Sequence, residues 1–322
     1  MAPVPDNGIN ADDINRAVGE RWRRLDPLLP EPGPVVLGCG ETFRTPGGDG
    51  YAVCRHLTTP ATSVDQTWAA ATEYALVPRL AGPDVSAGLD LLLAQWREHI
   101  CGLADAHGED TAARVRWPSR DTTGVRALLR HGLVPMTVIA ARPAKRAAAP
   151  AVPGDAADVT VRRAGPADLA VAVRYQMDVI RYDVQFGVGR VRPATEALVR
   201  QDMVSDLGRQ PSWIWLAEDK RTGEPAGLLI LQPPDQAGWI APAAAPSPVA
   251  YLATMFVQPG GRGAGIGAAL VGQAHAAADD SGAALTLLHY AQVNPLSGPF
   301  WSRMGYRPLW TLWGADPAAL IR

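Results

Sequence analysis

The chain has 322 residues, of which 47% are hydrophobic and 19% are charged, a balance typical of a folded globular protein with room for two domains. Its formal net charge is −2, so no overall positive field would attract nucleic acid or an anionic membrane surface. The start, MAPVPDNGINADD, lacks the basic and apolar regions of a signal peptide, and the apolar runs are too short to span a membrane. We therefore expect a cytoplasmic protein.

Cysteine is scarce, with residues at 39, 54 and 101 only. Three scattered cysteines do not form the spacing of a disulfide framework or a zinc site. We expect buried, reduced thiols and no metal.

The first part of the chain is predicted to form a domain over residues 1–140. Its first helix places Ile14, Val18, Trp22 and Leu25 at helical spacing, which is typical of ordinary core. Residues 141–158 contain little but alanine, proline and charged residues, so they are interpreted as an interdomain linker. The second domain is predicted over residues 159–322.

The second domain is predicted to contain strand, helix, three strands, helix, strand, helix and strand, in that order. The strands are predicted at 159–163, 212–219, 226–234, 249–257, 284–290 and 306–313. One helix is predicted over 164–185 and another after the glycine-rich stretch, with Leu270, Val271, Ala274 and Ala278 on one face. A short third helix is predicted within 294–305.

An internal similarity connects the two parts. The segment DTTGVRALLRHGLVPM at 121–136 aligns without a gap on NPLSGPFWSRMGYRPL at 294–309, an offset of 173 residues. Gly132 then falls on Gly305, and the preceding strands fall on each other. We interpret the chain as two copies of one unit.

The most unusual segment of the second copy is VQPGGRGAGIGAAL, residues 257–270, with glycine at 260, 261, 263, 265 and 267. Glycines between a strand and a helix let backbone N–H groups converge on an anion, and the helix dipole adds positive potential there. A turn that merely joins two elements is the alternative. We favour the anion site, because a joining turn does not require glycine at all five positions.

Three phosphate-binding patterns compete for this segment. A nucleotide P-loop needs a Lys-Ser/Thr pair that the segment lacks. A dinucleotide fingerprint is matched by Gly263, Gly265 and Ala268, but the acidic residue expected after the next strand is missing. The third pattern, Arg/Gln-x-x-Gly-x-Gly/Ala, is matched by Arg262, Gly265 and Gly267. At this motif the sequence resembles the GCN5-related N-acetyltransferase (GNAT) family.

The resemblance extends over residues 159–314. A second motif, NPLSGPFWSRMGY, supplies Asn294, Phe300, Trp301, Gly305 and Tyr306 at the family's spacing. The implied fold is α/β (α+β): two GNAT-like domains, each with a mixed, largely antiparallel twisted sheet flanked by helices. In the first copy Arg116 stands in place of His289 and Asp121 in place of Asn294. We therefore interpret that copy as degenerate.

The resemblance implies that acetyl-CoA is the co-substrate. The C-terminal end of the fourth strand of the second copy would hydrogen-bond the pantetheine arm of acetyl-CoA, which Asn294 and Trp301 would also contact. The amides after that strand would hold its pyrophosphate. These cofactor-binding residues are Met255, Phe256, Val257, Arg262, Gly263, Ala264, Gly265, Ile266, Gly267 and Ala268, with Asn294 and Trp301.

The resemblance also indicates where acyl transfer would take place. His289 lies five residues before Asn294, where relatives that acetylate protein N-termini carry a glutamate base. An imidazole with a pKa near ~6.5 could take that role, although a structural histidine is the alternative. Trp301 occupies the position of the family's usual acid, a tyrosine, but indole cannot release its proton near neutral pH. Tyr290 and Ser297 are the neighbouring candidates for that acid.

Acceptor recognition in the family involves the first helices and the loop before the fourth strand. A cationic amine could pair with an aspartate there, while a core aromatic or a solvated helix face is the alternative for each candidate. The candidates are Tyr175, Asp178, Tyr182, Asp183 and Phe186, with Trp213, Trp215 and Trp239 as walls.

The sequence thus predicts transfer of an acetyl group from acetyl-CoA to a primary amine of a small molecule or peptide. Direct attack in a ternary complex is expected, because no cysteine lies near the motif to carry an acyl group. The alternatives are a non-catalytic acyl-CoA-binding regulator, or an enzyme using another acyl-CoA or an oxygen acceptor. We expect a monomer or homodimer, and no nucleic-acid or membrane partner.

Overall fold

The computed structural model describes residues 11–33, 35, 40–144 and 158–322. Residues 145–157 of the predicted linker lie outside the described residues, whereas residues 141–143 form the end of a strand rather than linker. The chain divides into two compact units. Unit 1 consists of Met1–Thr59, Ala70–Met136 and Leu309–Arg322, and unit 2 consists of Pro60–Ala69 and Thr137–Pro308.

Unit 1 is a five-stranded sheet with helices. Its elements are α1 (Ala11–Leu25), β1 (Glu41–Arg44), β2 (Gly50–Thr58), β3 (Thr72–Leu80), α2 (Val85–Cys101), β4 (Thr111–Pro118) and α3 (Val125–Arg130). Strand order is β1-β2-β3-β4-β11, where β11 is Arg307–Ala315. The pairing is antiparallel except between β3 and β4. Helix α2 begins at an Asp84 cap and buries Leu89, Leu92 and Trp96 completely.

Unit 2 has a six-stranded sheet. Its elements are β5 (Val134–Pro143), β6 (Val159–Arg163), α4 (Leu169–Val184), α5 (Thr195–Leu207), β7 (Ile214–Asp219), β8 (Pro225–Gln232), β9 (Val249–Val257), α6 (Ile266–Asp280), β10 (Leu285–Ala291) and α7 (Ser297–Arg303). Strand order is β5-β10-β9-β8-β7-β6, with only the β9–β10 pair parallel. The mixed, largely antiparallel sheet matches the predicted fold class.

Two hydrophobic clusters cover the two faces of this sheet. On one face, Leu270, Val271, Ala274 and Ala278 of α6 pack against Leu229, Leu252 and Leu288, so the predicted face of α6 is the buried one. On the other face, α4 and α5 pack against Leu216, Leu228 and Ile230. Any groove at the carboxyl end of β9 therefore has α6 on one side and α4 on the other.

The sequence prediction missed helix α5. Its buried side chains are Thr195, Val199, Met203 and Leu207, one at every fourth position. A stripe of one apolar residue per turn is narrower than the pattern that usually identifies an amphipathic helix.

Strand pairing departs from the predicted boundaries of 1–140, 141–158 and 159–322. Residues Thr137–Pro143 of β5 pair with β10 in unit 2, whereas Trp310–Ala315 of β11 pair with β4 in unit 1. Unit 1 thus takes one strand from the C-terminal end of the chain, and unit 2 takes a strand that lies before residue 144. Composition identifies where the chain buries little, but it carries no information on which strand pairs with which.

The internal repeat is visible in the local structure of its best-aligned segment. Helix α3 and helix α7 both end at a glycine with positive φ, +79° at Gly132 and +89° at Gly305. The amide of Leu133 donates to the oxygen of Leu128, and that of Tyr306 donates to Trp301, both at 3.0 Å. These pairs are 173 residues apart, so the two segments share one helix-ending motif.

The expectation of buried thiols is confirmed at Cys54 and wrong at Cys101, while Cys39 lies outside the described residues. Cys54 is buried and accepts a hydrogen bond from the Trp96 indole at 3.3 Å, but Cys101, at the end of α2, is exposed. Across the described residues, no helix combines the length and apolarity that a membrane span requires.

Candidate active site

The glycine-rich stretch forms the connection from β9 to α6, as its sequence predicts. A single 3₁₀ turn covers Pro259–Gly261, and α6 begins at Ile266 after Gly265. No side chain caps this helix, and the first intrahelical bond runs from the Ala269 amide to the Gly265 oxygen at 3.0 Å. In the described part of the chain, the amides of residues 265–268 therefore have no hydrogen-bond acceptor. Unpaired amides at a helix N-terminus form a site for an anion.

The fold itself requires glycine at several of these positions, which modifies the interpretation made from sequence. Gly263 and Gly265 have φ of +85° and +81°, a conformation that other residues adopt only with strain. A Cβ at Gly267 would lie 3.2 Å from the Phe300 ring, so this glycine lets α7 pack closely against α6. The joining-turn alternative thus explains part of the glycine content. The unpaired amides, rather than the number of glycines, indicate an anion site.

Strands β9 and β10 separate beside this loop. Their parallel pairing runs from Val249–Leu285 to Leu252–Leu288 and stops there. Beyond that point Met255, Phe256 and Val257 stay paired with β8 through Leu229, Leu228 and Gly227, respectively, and are half-buried. Ala253 is an extra residue opposite β8, because Ile230 pairs with Thr254 and Leu231 with Leu252. This bulge bends β9, and among the described strands residues 255–257 have no partner on the edge toward β10.

Arg262 links the glycine-rich loop to helix α4. Its guanidinium lies 5.4 Å from the centre of the Tyr182 ring, within range of a cation–π contact. Its Nε donates to the Val257 oxygen at 3.4 Å. The positive charge is therefore held beside the end of β9 and next to the C-terminal turn of α4.

His289 belongs to an aromatic cluster on the α4 and α5 face of the sheet. Its Nδ1 lies 3.0 Å from the Tyr251 hydroxyl, and the Trp239 ring stacks on it with centroids 6.2 Å apart. Trp239 is 58% exposed and donates to the Gln232 side chain. Burial raises the pKa of Tyr251 far above its usual range, so its phenol stays protonated at neutral pH.

The sequence predicts His289 as a base and Trp239 as a wall of the acceptor site, but it does not identify Tyr251. In the parallel register Tyr251 lies opposite Leu287, which precedes His289 by two residues on the same face of β10. Only the register brings the phenol to the imidazole, so no local sequence signal would have found it.

The other predicted catalytic residues lie on the α6 face. Trp301 is 6% exposed and packs edge-on against Phe300 and Tyr306, with ring centroids 4.9 and 5.4 Å apart. Tyr290 is half-buried at the edge of the same cluster, and burial raises the pKa of its phenol. His289 and Tyr290 are neighbours on β10 and therefore point to opposite faces.

Asn294 is buried, and its side chain has a structural role. Its Oδ1 accepts the amide of Leu296 at 3.0 Å, which starts the turn into α7. Asp121, the aligned residue of unit 1, accepts the amide of Thr123 in the same way at 3.2 Å. The shared turn explains why an Asn or Asp stands at both positions.

The predicted acceptor residues on α4 separate into two groups. Tyr175 is 2% exposed, packs against Phe256 at 4.7 Å and donates its hydroxyl proton to the Pro225 oxygen at 2.6 Å, so it is a core residue. Asp178 forms an ion pair with Arg181 at 3.3 Å on the helix surface.

Asp183 and Tyr182 lie at the end of α4. Burial raises the pKa of the Asp183 carboxyl to about 6, and no ion pair involves it in the described part of the chain. Tyr182 contacts Phe186 edge-on at 5.1 Å, besides its contact with Arg262. This end of the helix therefore combines aromatic surface with an unpaired carboxylate.

The predicted tryptophan walls are divided between the two faces. Trp239 lies beside His289, whereas Trp213 and Trp215 belong to the α6 cluster, where the Arg163 guanidinium stacks on both at 5.4 and 4.8 Å.

The described residues include no group of three or more His, Cys, Asp or Glu side chains arranged to hold a metal ion.

Comparison with known proteins finds similarity to one family over the segment that contains this site. Residues 184–306 match the model of the family described as acetyltransferase (GNAT) family. A GCN5-related N-acetyltransferase from Sphaerobacter thermophilus aligns over 99% of this chain and 95% of its own, with 17% identity and a TM-score of 0.57. That likeness shows the fold.

Two further solved structures align at lower TM-scores. A tandem GNAT protein from the clavulanic acid biosynthesis pathway covers 96% of this chain and 97% of its own, with 15% identity and a TM-score of 0.45. A GCN5-related N-acetyltransferase from Kribbella flavida covers 96% and 98%, with 17% identity and a TM-score of 0.46. No curated protein sequence matches significantly. The glycine-rich loop, the Asn294 turn and α7 all lie inside residues 184–306, the segment that matches the model of the GNAT acetyltransferase family.

Proposed function

We propose that the protein transfers an acetyl group from acetyl-CoA to a primary amine of a small molecule or peptide. The observation that carries this proposal is the set of unpaired amides at the start of α6, placed where β9 and β10 separate. An anion cradle and an unpaired strand edge lie side by side, which suits a cofactor with a pyrophosphate and an amide-containing arm. The family assignment supports acyl transfer in general.

The proposed co-substrate contacts follow the geometry. Of the amides predicted at 262–268, those of residues 265–268 would hold the pyrophosphate, because the Arg262 and Ala264 amides already donate to the Pro259 and Gly261 oxygens. The Arg262 side chain would add a positive charge at the same loop. The unpaired edge of residues 255–257 would pair with the pantetheine amides as an added strand does. Acetyl-CoA, when bound, supplies the thioester carbonyl that the amine attacks.

His289 is the proposed general base. An alkylammonium with a pKa near ~10 must lose a proton before it can attack. If the His289 Nδ1–H donates to the Tyr251 oxygen, Nε2 carries the lone pair that accepts that proton. The neutral phenol of Tyr251 would then fix the ring orientation and stabilise the imidazolium that forms.

Tyr290 is the residue that we propose as the acid that protonates the departing thiolate. Trp301 is packed within the α6 cluster, and its indole N–H does not ionise near neutral pH, so we assign it a packing role. The raised pKa of Tyr290 keeps its phenol protonated and able to donate. A thiol with a pKa of about 8.5 is also a reasonable leaving group without help.

Asp183 is the proposed binding residue for the cationic acceptor. Asp183 is half-buried; a partly desolvated carboxylate without an ion-pair partner is costly, and an ammonium group would relieve that cost. Asp178 is already paired with Arg181, and Tyr175 is in the core. Among the predicted acceptor residues, Asp183 with neighbouring Tyr182 therefore suits an amine best.

A calorimetric titration of acetyl-CoA tests the cradle. The parent protein is compared with Gly265→Asp, which places a negative charge in the loop, and with Gly223→Asp as the matched control. Both glycines have positive φ, +81° and +73°, and a Cβ at Gly223 meets nothing within 4 Å, so the two variants share the backbone strain. Binding to the parent and the control but not to Gly265→Asp supports the proposal. Equal binding to all three, or to none, contradicts it.

A thiol-release screen over a library of amines then separates an enzyme from the alternative, an acyl-CoA-binding regulator. The buried Trp301 in place of an acid is the observation that favours this alternative. A regulator binds acetyl-CoA but releases no free CoA with any amine. Turnover that is lost in His289→Gln, with acetyl-CoA affinity unchanged, supports the enzyme.

A further inference from the structure

The connection between β2 and β3 in the first half of the sequence lies in unit 2. Residues Pro60–Ala69 group with Thr137–Pro308, while the strands before and after them belong to unit 1. The connection is closed at its base, where the Thr59 amide donates to the Ala71 oxygen at 3.0 Å. A compact surface loop of this length with its ends together is an Ω-type loop, a class that is frequently functional.

The loop has its own internal structure. It contains a 3₁₀ turn, Val64–Thr67, capped by Ser63, whose side chain accepts the Asp65 amide. The amides of Trp68 and Ala69 both donate to the Asp65 oxygen, at 2.9 and 3.0 Å. Val64 packs against the α4 and α5 cluster. The loop is thus a folded element rather than a loose linker.

This loop holds the connection between α4 and α5, residues 185–194. The Arg190 amide donates to the Thr67 oxygen at 2.7 Å, and Nη2 of Arg192 donates to the Ala69 oxygen at 3.1 Å. Between them, Gly189 has φ of +88°, and a Cβ there would lie 3.0 Å from the Thr67 oxygen and 3.4 Å from the Trp68 ring. The two segments are therefore in close contact over at least three successive loop residues.

The held connection begins at the proposed acceptor-binding end of α4. It leaves the helix directly after Val184, next to Asp183 and Tyr182, whose ring contacts Arg262. Phe186, which packs on Tyr182, is part of it. A displacement of residues 186–190 would therefore move the groups that we assign to the amine.

We propose that residues 60–69 are a positioning element of the acyl-acceptor site, supplied to the GNAT domain by the first half of the sequence. This inference rests on the proposed function. Through Thr67, Trp68 and Ala69, the loop fixes the α4–α5 connection and thereby the placement of Asp183 and Phe186. The first half of the sequence then contributes to acceptor selection, which explains its retention although it lacks the glycine-rich motif.

The test compares full-length parent, Gly189→Ala, Trp68→Ala and the matched control Gly223→Ala. Alanine at 189 meets the loop, whereas alanine at 223 carries similar backbone strain and meets nothing within 4 Å. Trp68→Ala removes the ring without strain, and Trp68→Phe tests rescue by a smaller ring. We expect Gly189→Ala and Trp68→Ala to raise the acceptor KM about fivefold, or ~1 kcal/mol. Acetyl-CoA affinity should stay within about twofold of the parent value in all variants, a difference of ~0.4 kcal/mol.

Hydrogen exchange supplies a readout that needs no turnover. The Arg190 amide should exchange about tenfold faster in Gly189→Ala than in Gly223→Ala if its bond to Thr67 is weakened, a change of ~1.4 kcal/mol in the opening free energy. Unchanged exchange in 186–194, or an unchanged acceptor KM in an active enzyme, overturns the inference. If the parent turns over no amine, the proposed function fails, and the exchange result alone decides whether the loop holds the connection.

Discussion

Strand β5 precedes the linker in sequence but belongs to the sheet of unit 2, and removing it should unfold that unit. We compare residues 134–308 with residues 159–308, two fragments that differ in β5 and in the segment 144–158 that follows it. Both lack Leu309–Arg322 and Pro60–Ala69, so those segments do not affect the comparison. We expect the longer fragment to unfold cooperatively and the shorter fragment to lack a stable fold.

The expected loss follows from the pairing of β5 with β10. Seven residue pairs join the strands, from Pro143–Leu285 to Thr137–Ala291, which corresponds to about one hydrogen bond for each pair. At a net ~0.5–1.5 kcal/mol per bond, the ladder contributes about 3–10 kcal/mol. Burying Val138, which is 1% exposed against the α6 cluster, adds about 1.5–3 kcal/mol. The loss is comparable to the whole stability of a typical domain, about 5–15 kcal/mol.

Urea denaturation followed by circular dichroism measures the difference. The prediction requires a sigmoidal transition for residues 134–308 and a reduced or absent transition for residues 159–308. If residues 159–308 unfold at the same urea concentration with the same slope, β5 is dispensable and the reasoning from strand pairing is wrong. A transition in neither fragment would show that Pro60–Ala69 or β11 is also needed.

Three further predictions concern single residues of unit 2. Asp183 has a folded pKa of about 6, above its reference of 3.8, so the folded state binds more protons between those values and becomes less stable as pH rises through them. Asp183→Asn should therefore be more stable than the parent by about 1–3 kcal/mol at pH 7 and equally stable near pH 3. Urea denaturation at the two pH values measures the difference. A variant that is less stable than the parent at pH 7 would contradict this prediction. Burial lowers the pKa of His275 to about 3 from 6.5, so the unfolded state binds the extra proton, and stability should fall by about 2 kcal/mol between pH 7 and pH 5. His275→Gln, measured across the same pH range, should remove that fall, and an unchanged slope would refute it. Tyr251→Phe should lower kcat while leaving acetyl-CoA affinity unchanged, because it removes the hydrogen bond that orients His289; an unchanged kcat would leave the phenol without a role in orientation.

Stability and acceptor binding should change in opposite directions when Asp183 is neutralised. The carboxylate costs stability in the absence of an acceptor, and its neutral replacement should improve the fold while weakening acceptor binding. A residue retained for stability would show the opposite behaviour. The paired measurement of unfolding free energy and acceptor KM therefore distinguishes the two roles.

Much of the local structure of unit 2 was determined by short-range sequence patterns. The glycine-rich segment lies between β9 and α6, as predicted, because positive φ at Gly263 and Gly265 and a helix start at Ile266 are local properties. The same holds for α7, which ends at Gly305, and for its counterpart α3, which ends at Gly132. Helix-ending motifs repeat where the sequence repeats, so alignment of the two halves was enough to find them.

Only the tertiary structure decided which distant segments meet. The alternation of apolar and polar residues along a strand identifies its buried face but not its partner strand. The pairing of β5 with β10 and of β11 with β4 therefore does not follow the domain boundaries predicted from composition. The Tyr251–His289 contact depends on the parallel register of β9 and β10. The contact of Thr67 with Arg190 joins residues more than a hundred positions apart. Hydrogen bonds between backbone groups carry no side-chain signature, and for that physical reason the sequence alone leaves such pairs undetermined.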